Sequence, residues 1–354
     1  MSYPRIEVDL NKIKHNTEIL SALCDKNNID AIGVTKVFCA YPPIAQAMVK
    51  GGVKMLADSR IENLEKIKDI SIPKLLLRLP MISQANKVVE LADISLNSEL
   101  ETIQALSKEA IKVGKNHKII LMVDLGDLRE GIFREEDIYS NVESILKLSR
   151  IKLVGLGTNL TCYGGVIPRK ENLNKLLDLK KKIEEKFDIQ LDIISGGNSS
   201  SIYLLENGEM PQGINQLRLG ESIVLGRETA FGEKIKDTYE DAFKLIVEIV
   251  EIKDKPSIPI GEIGMDAFGN KPTFEDKGIR KRAICAVGRQ DIDTDNVILD
   301  DDKISILGAS SDHFILDITD CDNEYKVGDK VSFNLSYGGI LSTMTSEYVN
   351  KVCK

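Results

Sequence analysis

Ala31-Ile32-Gly33-Val34-Thr35-Lys36-Val37-Phe38 is an apolar, β-branched run broken by a single cation. Such a run reads as a buried strand. An ammonium group is costly inside a strand, so Lys36 is expected at its C-terminal end. There the side chain enters a barrel mouth, where its amine can act as nucleophile and base. Taken alone, the run says no more than that a lysine snorkels from a strand end to water. The rest of the chain decides between the two.

Working outward, short apolar runs recur near 53–57, 74–79, 93–96, 118–124, 151–158, 191–195 and 215–219. Amphipathic helical patterns separate them, as at 98–113, 135–148 and 170–186. Alternating strand and helix predicts parallel βα units. Eight such runs between Asp30 and Leu225 predict a closed, TIM-like (β/α)8 barrel. No Gly-x-Gly-x-x-Gly follows the first strand, which argues against an open dinucleotide-binding sheet. From about Asp241 the rhythm changes. Phe243–Ile252, Lys281–Val287, Lys303–Leu307, His313–Ile318 and Lys330–Asn334 read as strands, with turns such as Val327-Gly328-Asp329 between them. They predict a smaller, mostly antiparallel β domain. Residues 5–9 alternate as a strand that precedes the barrel, and Asp9 can cap a helix from Leu10 to about Cys24. The expected division is 10–240 for the barrel and 1–9 plus 241–354 for the β domain.

The 354 residues are 42% hydrophobic and 29% charged, enough for a sizeable core. A net charge of -8 without a basic block argues against nucleic acid or an anionic membrane as partner. No stretch approaches the roughly 20 apolar residues of a membrane span. Met1-Ser2-Tyr3-Pro4-Arg5 lacks the apolar core of a signal peptide, so a cytoplasmic protein is expected. Six scattered cysteines without Cys-x-x-Cys fit a reduced chain. Three histidines, His15, His117 and His313, are too few for a His-rich metal centre, and no metal is expected. His15 reads as structural. Asp291 to Asp302 half-resembles a calcium loop but lacks its glycine and closing glutamate, and reads as a solvated acidic loop. Cys39 and Cys162 read as packing residues near the barrel mouth.

In such a barrel the active site lies at the C-terminal ends of the strands. Those ends carry Lys36, then Val123-Asp124-Leu125-Gly126-Asp127-Leu128-Arg129-Glu130-Gly131, then Thr158-Asn159-Leu160-Thr161-Cys162-Tyr163-Gly164. The last two carry Ser195-Gly196-Gly197-Asn198-Ser199-Ser200-Ser201 and Leu217-Arg218-Leu219-Gly220-Glu221-Ser222. A Gly/Ser-rich turn that opens a helix offers N–H groups and hydroxyls to an anion, although alone it fits a plain N-cap equally. A lysine, a phosphate cradle and an arginine are what a pyridoxal-phosphate (PLP) enzyme needs.

These segments, with Ser195–Tyr203, Pro259–Gly269 and Gly308–Asp312, resemble the alanine racemase family of fold-type III PLP enzymes over essentially the whole chain. The resemblance implies that Lys36 carries PLP as a Schiff base and is the base on one face of the substrate Cα. It implies that Ser199 binds the phosphate together with the backbone amides of Gly220 and Glu221. Arg218 would hydrogen-bond the pyridine nitrogen, with Asn159 in the place of a histidine that supports this arginine. Arg129 would contact the substrate carboxylate and the cofactor phenolic oxygen, and Asp312 would lie near the substrate mouth. Asp127 and Glu130 flank Arg129 and are candidates for binding a cationic side chain.

The departures from the family are as informative. The lysine is followed by Val37-Phe38-Cys39-Ala40-Tyr41, with Ala40 in the place of a tyrosine. Met122 stands where a carbamylated lysine braces the substrate arginine, and Ser346, with Tyr348 nearby, where a tyrosine touches the phosphate. The second base, a tyrosine after Pro-Ile-Gly in the family, is missing: Pro259-Ile260-Gly261 is followed by Glu262-Ile263-Gly264-Met265-Asp266. Asp266, Glu262 and His313 are the candidates, in that order. The implied activity is interconversion of L- and D-ornithine by two-base proton transfer, with lysine, arginine or alanine as alternative substrates. A fold-type III decarboxylase would want an acid on the pyridine nitrogen, against Arg218. A non-catalytic PLP carrier would lack the region after Asp241. The resemblance also implies a head-to-tail homodimer whose partner completes the site.

Overall fold

The chain opens with β1 (Arg5–Val8), whose partners lie far along the sequence. Eight parallel strands then close a barrel in the computed structural model, which describes residues 2–266 and 268–354. They are β2 (Asp30–Val34), β3 (Met55–Asp58), β4 (Lys74–Leu76), β5 (Ile94–Asn97), β6 (His117–Met122), β7 (Ile151–Gly157), β8 (Ile193–Ser195) and β9 (Gln216–Leu219). Each pairs with the next, and β9 returns to β2 with Gly33 opposite Leu219. Val34, Ala57, Leu96, Ile120, Met122 and Val154 belong to one buried cluster. Burial of the larger of these side chains contributes roughly 2 kcal/mol each. Gly155 is obligatory: a Cβ there would stand 2.0 Å from the Ile193 carbonyl oxygen. The run expected at 74–79 is shorter, ending at Leu76. Pro80 lies just beyond, and proline has no N–H for a ladder.

His117, at the start of β6, is fully buried, and its Nε2 lies 2.8 Å from Ser95 Oγ. Burial, assisted by Lys115, pushes its pKa down to about 4. The unfolded chain therefore binds a proton between pH ~6.5 and 4 that the native state excludes. This contribution is complete above pH ~6.5 and is lost as the pH falls toward 4. Urea unfolding at pH 7 and pH 5 is expected to show wild type losing about 2 kcal/mol more than His117→Gln, which does not titrate. Equal losses in the two proteins would refute this.

The second unit combines Met1–Asp9 with Asp241–Lys354, and the barrel unit is Leu10–Glu240. Its strands are β10 (Phe243–Pro256), β11 (Ile279–Cys285), β12 (Val297–Leu299), β13 (Ser305–Ala309), β14 (Phe314–Asp317), β15 (Lys330–Leu335) and β16 (Asn350–Cys353). The order β12-β15-β10-β11-β14-β13 is antiparallel throughout. β1 joins it antiparallel to β10 and lies parallel to β16. The first half of β10 alternates buried and half-buried residues, as a strand with one face on a core must. Phe314 and Phe333 meet edge to face in that core, ring centroids 6.1 Å apart. β12, β16 and the helix Tyr337–Thr345 were not expected; the helix is the least legible of them. Gly338 and Gly339 in its first turn hide it from propensity. Both are needed for packing, since a Cβ on Gly339 would stand 2.4 Å from the Asn296 carbonyl oxygen.

No described helix is long and apolar enough to cross a membrane. Among the described residues no group of three or more His, Cys, Asp or Glu side chains is placed to hold a metal. In the acidic loop, Asp291 accepts from Ser346 Oγ, and Asp300 from Lys244 and Asn334.

Candidate active site

The strand that should deliver Lys36 stops two residues short of it. Thr35 still donates its N–H to the Ala57 carbonyl at 2.8 Å, but its ψ of 0° turns the chain into a 3-10 turn, Lys36–Phe38. Cys39 and Ala40 then take left-handed backbone angles, φ 53° and 51°. That conformation costs a non-glycine residue roughly 1–2 kcal/mol. A hydrogen-bonded circuit holds the turn from both sides. Before the lysine, Thr35 Oγ1 donates to Asp58 Oδ2 at 2.6 Å. Asp58 Oδ1 accepts from Arg60 N–H at 2.9 Å and Asn63 Nδ2 at 3.1 Å. After the lysine, Lys66 Nζ donates to Asn63 Oδ1 and to the Cys39 carbonyl, each at 3.0 Å.

Asp58 has no solvent exposure, and burial raises its pKa against the pull of Thr35, Arg60 and Asn63. Two substitutions separate its charge from its shape. Asp58→Ala takes the carboxylate acceptor from the Thr35 hydroxyl, the Arg60 N–H and the Asn63 amide and is expected to cost about 3 kcal/mol. Asp58→Asn keeps one acceptor oxygen, turns its amide to the Thr35 hydroxyl and removes a buried charge, so it should stay within about 1 kcal/mol of wild type. Urea denaturation measures both, and equal costs would contradict the circuit.

Next to this turn lies the Gly/Ser-rich segment whose sequence reads as an anion cradle. Gly196 and Gly197 follow β8, where a Cβ on Gly196 would meet Ile214 Cγ2 at 2.5 Å. Asn198 then caps the turn by accepting from Ser200 N–H at 2.8 Å. Ser199 Oγ accepts from Gly220 N–H at 3.3 Å and Ser222 N–H at 3.1 Å, and lies 2.9 Å from Ser222 Oγ. Ser200 Oγ is buried without a partner among the described residues. The Glu221 carboxyl is pushed up by burial, with Arg227 and Lys36 pulling it back.

Arg218, on β9, is 4% exposed. One guanidinium nitrogen donates to Ser195 Oγ, and Nη2 donates to the Thr158 carbonyl at 2.8 Å and Asn159 Oδ1 at 3.3 Å. Asn198 Nδ2 donates to the same Asn159 oxygen at 2.9 Å and so fixes which way that amide faces. Burial brings the Arg218 pKa down to about 10, leaving the group a cation at neutral pH. Cys162, expected to pack, is instead exposed and accepts from Asn159 Nδ2 at 3.0 Å.

Arg129 sits on the loop after β6, its Nε and Nη2 both bonded to the Glu130 carboxylate. Burial works against its charge, but Glu130, Cys162 and Asp127 together outweigh it, so its pKa is raised. Asp127 has a different task from the one considered for it. Its oxygens accept from the N–H groups of Thr161, Cys162, Tyr163 and Val166 at 2.9–3.2 Å, tying this loop to the one after β7. Burial opposes its ionised form, and these N–H groups overcome that and lower its pKa.

The barrel thus gathers Lys36, Arg129, Asn159, Ser199, Arg218, Gly220 and Glu221 on loops and strand ends at one side. Asp312, His313, Asp266 and Glu262 belong to the β unit. Asp266 caps its own turn, accepting from Asn270 N–H at 2.8 Å and Phe268 N–H at 2.9 Å, which lower its pKa. Glu262 is exposed. His313 Nδ1 lies 3.2 Å from Asp312 Oδ1, and Ser310 Oγ donates to the same oxygen at 3.0 Å. Tyr41 is half-buried at the start of helix Pro42–Lys50, and Tyr348 is exposed. The sequence reading missed Asp58, Ser195 and Ser222. Ser195 and Ser222 lie in strand-end segments already singled out, whereas Asp58 ends the run near 53–57, whose end was not.

The model of "Alanine racemase, N-terminal domain" matches residues 8–228. Ornithine racemase of Acetoanaerobium sticklandii is 52% identical over 349 residues, 99% of each chain. Lysine racemase of Thermotoga maritima is 42% identical over 354 residues, 99% of each chain. The crystal structure of alanine racemase from Bartonella henselae with covalently bound pyridoxal phosphate superposes with a TM-score of 0.75 at 18% identity, covering all of both chains. The chain belongs to the alanine racemase family, a family of PLP-dependent amino-acid racemases.

Proposed function

We propose that this chain interconverts L- and D-ornithine with PLP as cofactor. The observation that carries the substrate is the 52% identity to an ornithine racemase across nearly the full length. Lysine is the second reading, favoured by the 42% identity to a lysine racemase.

The residues fit the cofactor. The N–H groups of Gly220 and Ser222 both point at Ser199 Oγ, and the buried hydroxyl of Ser200, next in sequence, has no partner among the described residues. Such donors suit a phosphate. Arg218 offers a fixed, buried donor suited to the pyridine nitrogen. When bound, PLP withdraws electrons from the substrate Cα and makes its proton labile. Lys36 Nζ would hold the cofactor and move the Cα proton on one face. Arg129 would take the substrate carboxylate, orienting the Cα–H bond toward Lys36. Arg218, a cation, would disfavour a proton on the pyridine nitrogen of a bound cofactor.

The proton on the other face needs a second group. Of the three candidates His313 has the better support: its ring is held by Asp312, as a base is held by an orienting acid. Asp266 is a weaker base because its turn stabilises the carboxylate. In this proposal the β unit that supplies it belongs to the partner in a head-to-tail homodimer.

Incubation of the purified protein with L-ornithine in deuterated water tests the reading. Cα deuteration with loss of optical rotation supports it. Carbon dioxide release would indicate a decarboxylase, and neither signal a carrier. The ratio of kcat/KM for ornithine and lysine then ranks two substrates that differ by one methylene, a difference worth roughly 10- to 200-fold.

A further inference from the structure

The loop after β6 contains a carboxylate that the proposed reaction does not use. Glu130 follows Arg129 directly, yet its side chain turns back and grips the Nε/Nη2 edge of the guanidinium. Sequence neighbours rarely form a two-bonded pair of this kind in regular structure, because successive side chains diverge. Here the backbone is built to allow it. Asp124 Oδ1 accepts from Gly126 N–H at 2.8 Å and Leu128 N–H at 3.2 Å. Leu128 has φ 57° and Gly131 φ 121°, and a Cβ on Gly131 would stand 2.6 Å from the Asp124 nitrogen. Asp127 anchors the middle of the loop to the neighbouring one.

Glu130 is the more sheltered partner, with 17% of its side chain exposed against 44% for Arg129. Both its oxygens are taken by the arginine, and those of Asp127 by backbone N–H groups. Neither acid is therefore set up to receive the ammonium of a substrate side chain. A guanidinium has two edges that bind a carboxylate through paired hydrogen bonds. With Nε/Nη2 occupied, the Nη1/Nη2 edge is the one left for a second carboxylate. Charge points the same way. Arg129 lowers the pKa of buried Arg218 by like-charge repulsion, and Glu130 raises it, so the glutamate lies within range of both cations.

We propose that Glu130 is the positioning residue for Arg129, fixing the guanidinium plane so that its Nη1/Nη2 edge receives the α-carboxylate of the amino acid. The assignment rests on the racemase reading and extends it to what orients the substrate. The family resemblance puts Met122 where a brace for this arginine would stand, and Met122 lies wholly inside the barrel core. The brace comes from the next residue in the chain instead.

The test compares Glu130→Gln, Glu130→Asp and Arg129→Lys in the PLP-loaded protein. Wild type is assayed first for racemisation of L-ornithine, and its failure there would sink the functional reading rather than this one. Glu130→Gln keeps the side-chain size and one acceptor but loses the charge, and is expected to raise KM about tenfold while kcat falls less. Affinity for L-α-methylornithine, which has no Cα proton to lose, should weaken by a similar factor in a spectral titration, independent of turnover. Glu130→Asp keeps the charge on a shorter stem and should recover part of the loss. Borohydride should still fix PLP to the chain in all three variants, which excludes misfolding. If Arg129→Lys raises KM and Glu130→Gln does not, or if Glu130→Gln lowers kcat alone, the positioning role is overturned.

Discussion

Lys36→Ala is expected to lower the racemisation rate by roughly 10⁴-fold, because one residue supplies both the nucleophile that would hold the cofactor and the base on one face. The two losses have separate readouts. Covalent attachment is read from the absorbance of the lysine-bound cofactor and from borohydride reduction, which should no longer fix PLP to the chain. Proton transfer is read from Cα deuteration. Stability should hardly change. The lysine side chain is exposed, and the circuit through Thr35, Asp58, Asn63, Lys66 and Cys39 fixes its turn without it. A variant that kept full lysine-bound absorbance would overturn the assignment of Lys36 and, with it, the functional proposal.

Arg218→Met is expected to have the largest effect on stability, about 3–5 kcal/mol. Methionine approximates the stem of arginine but leaves the Thr158 carbonyl and the Asn159 amide oxygen without this donor in a closed interior. Ser195 Oγ loses its guanidinium partner as well. Arg218→Lys keeps a cation but replaces a planar fork with a single nitrogen, so it should recover only part of the loss. Urea unfolding of the three proteins without cofactor measures this directly. A methionine variant within about 1 kcal/mol of wild type would show that the buried guanidinium is costly rather than cohesive, as some buried charges are.

Much of the fold was legible because hydrophobic periodicity is a local signal. The runs near 118–124 and 151–158 became β6 and β7 almost residue for residue. Where the expectation differed, a contact distant in sequence decided. The helix Tyr337–Thr345 carries two glycines that only packing against Asn296 explains. β2 ends at Val34 because the Thr35 carbonyl accepts from Ala40 N–H and its hydroxyl reaches Asp58, 23 residues on. The same holds for the site. Arg218 and Ser199 stood out as residue types at strand ends. Ser222 N–H, which shares the cradle, did not, because a backbone amide leaves no mark in the side-chain sequence.

The sequence by itself determined the barrel, the β strands after Asp241, the lysine on the first barrel strand's exit and the family resemblance. Each of these is carried by residue type and spacing. Only the tertiary structure decided how the lysine turn is braced, which end of the Asn159 amide faces Arg218, and that Glu130 grips Arg129 while Asp127 ties two loops together. Those are pairings between groups whose partners are chosen by folding. An acid in a loop reads the same in sequence whether it will meet water, a backbone amide or a guanidinium, and only the folded chain fixes which one it meets.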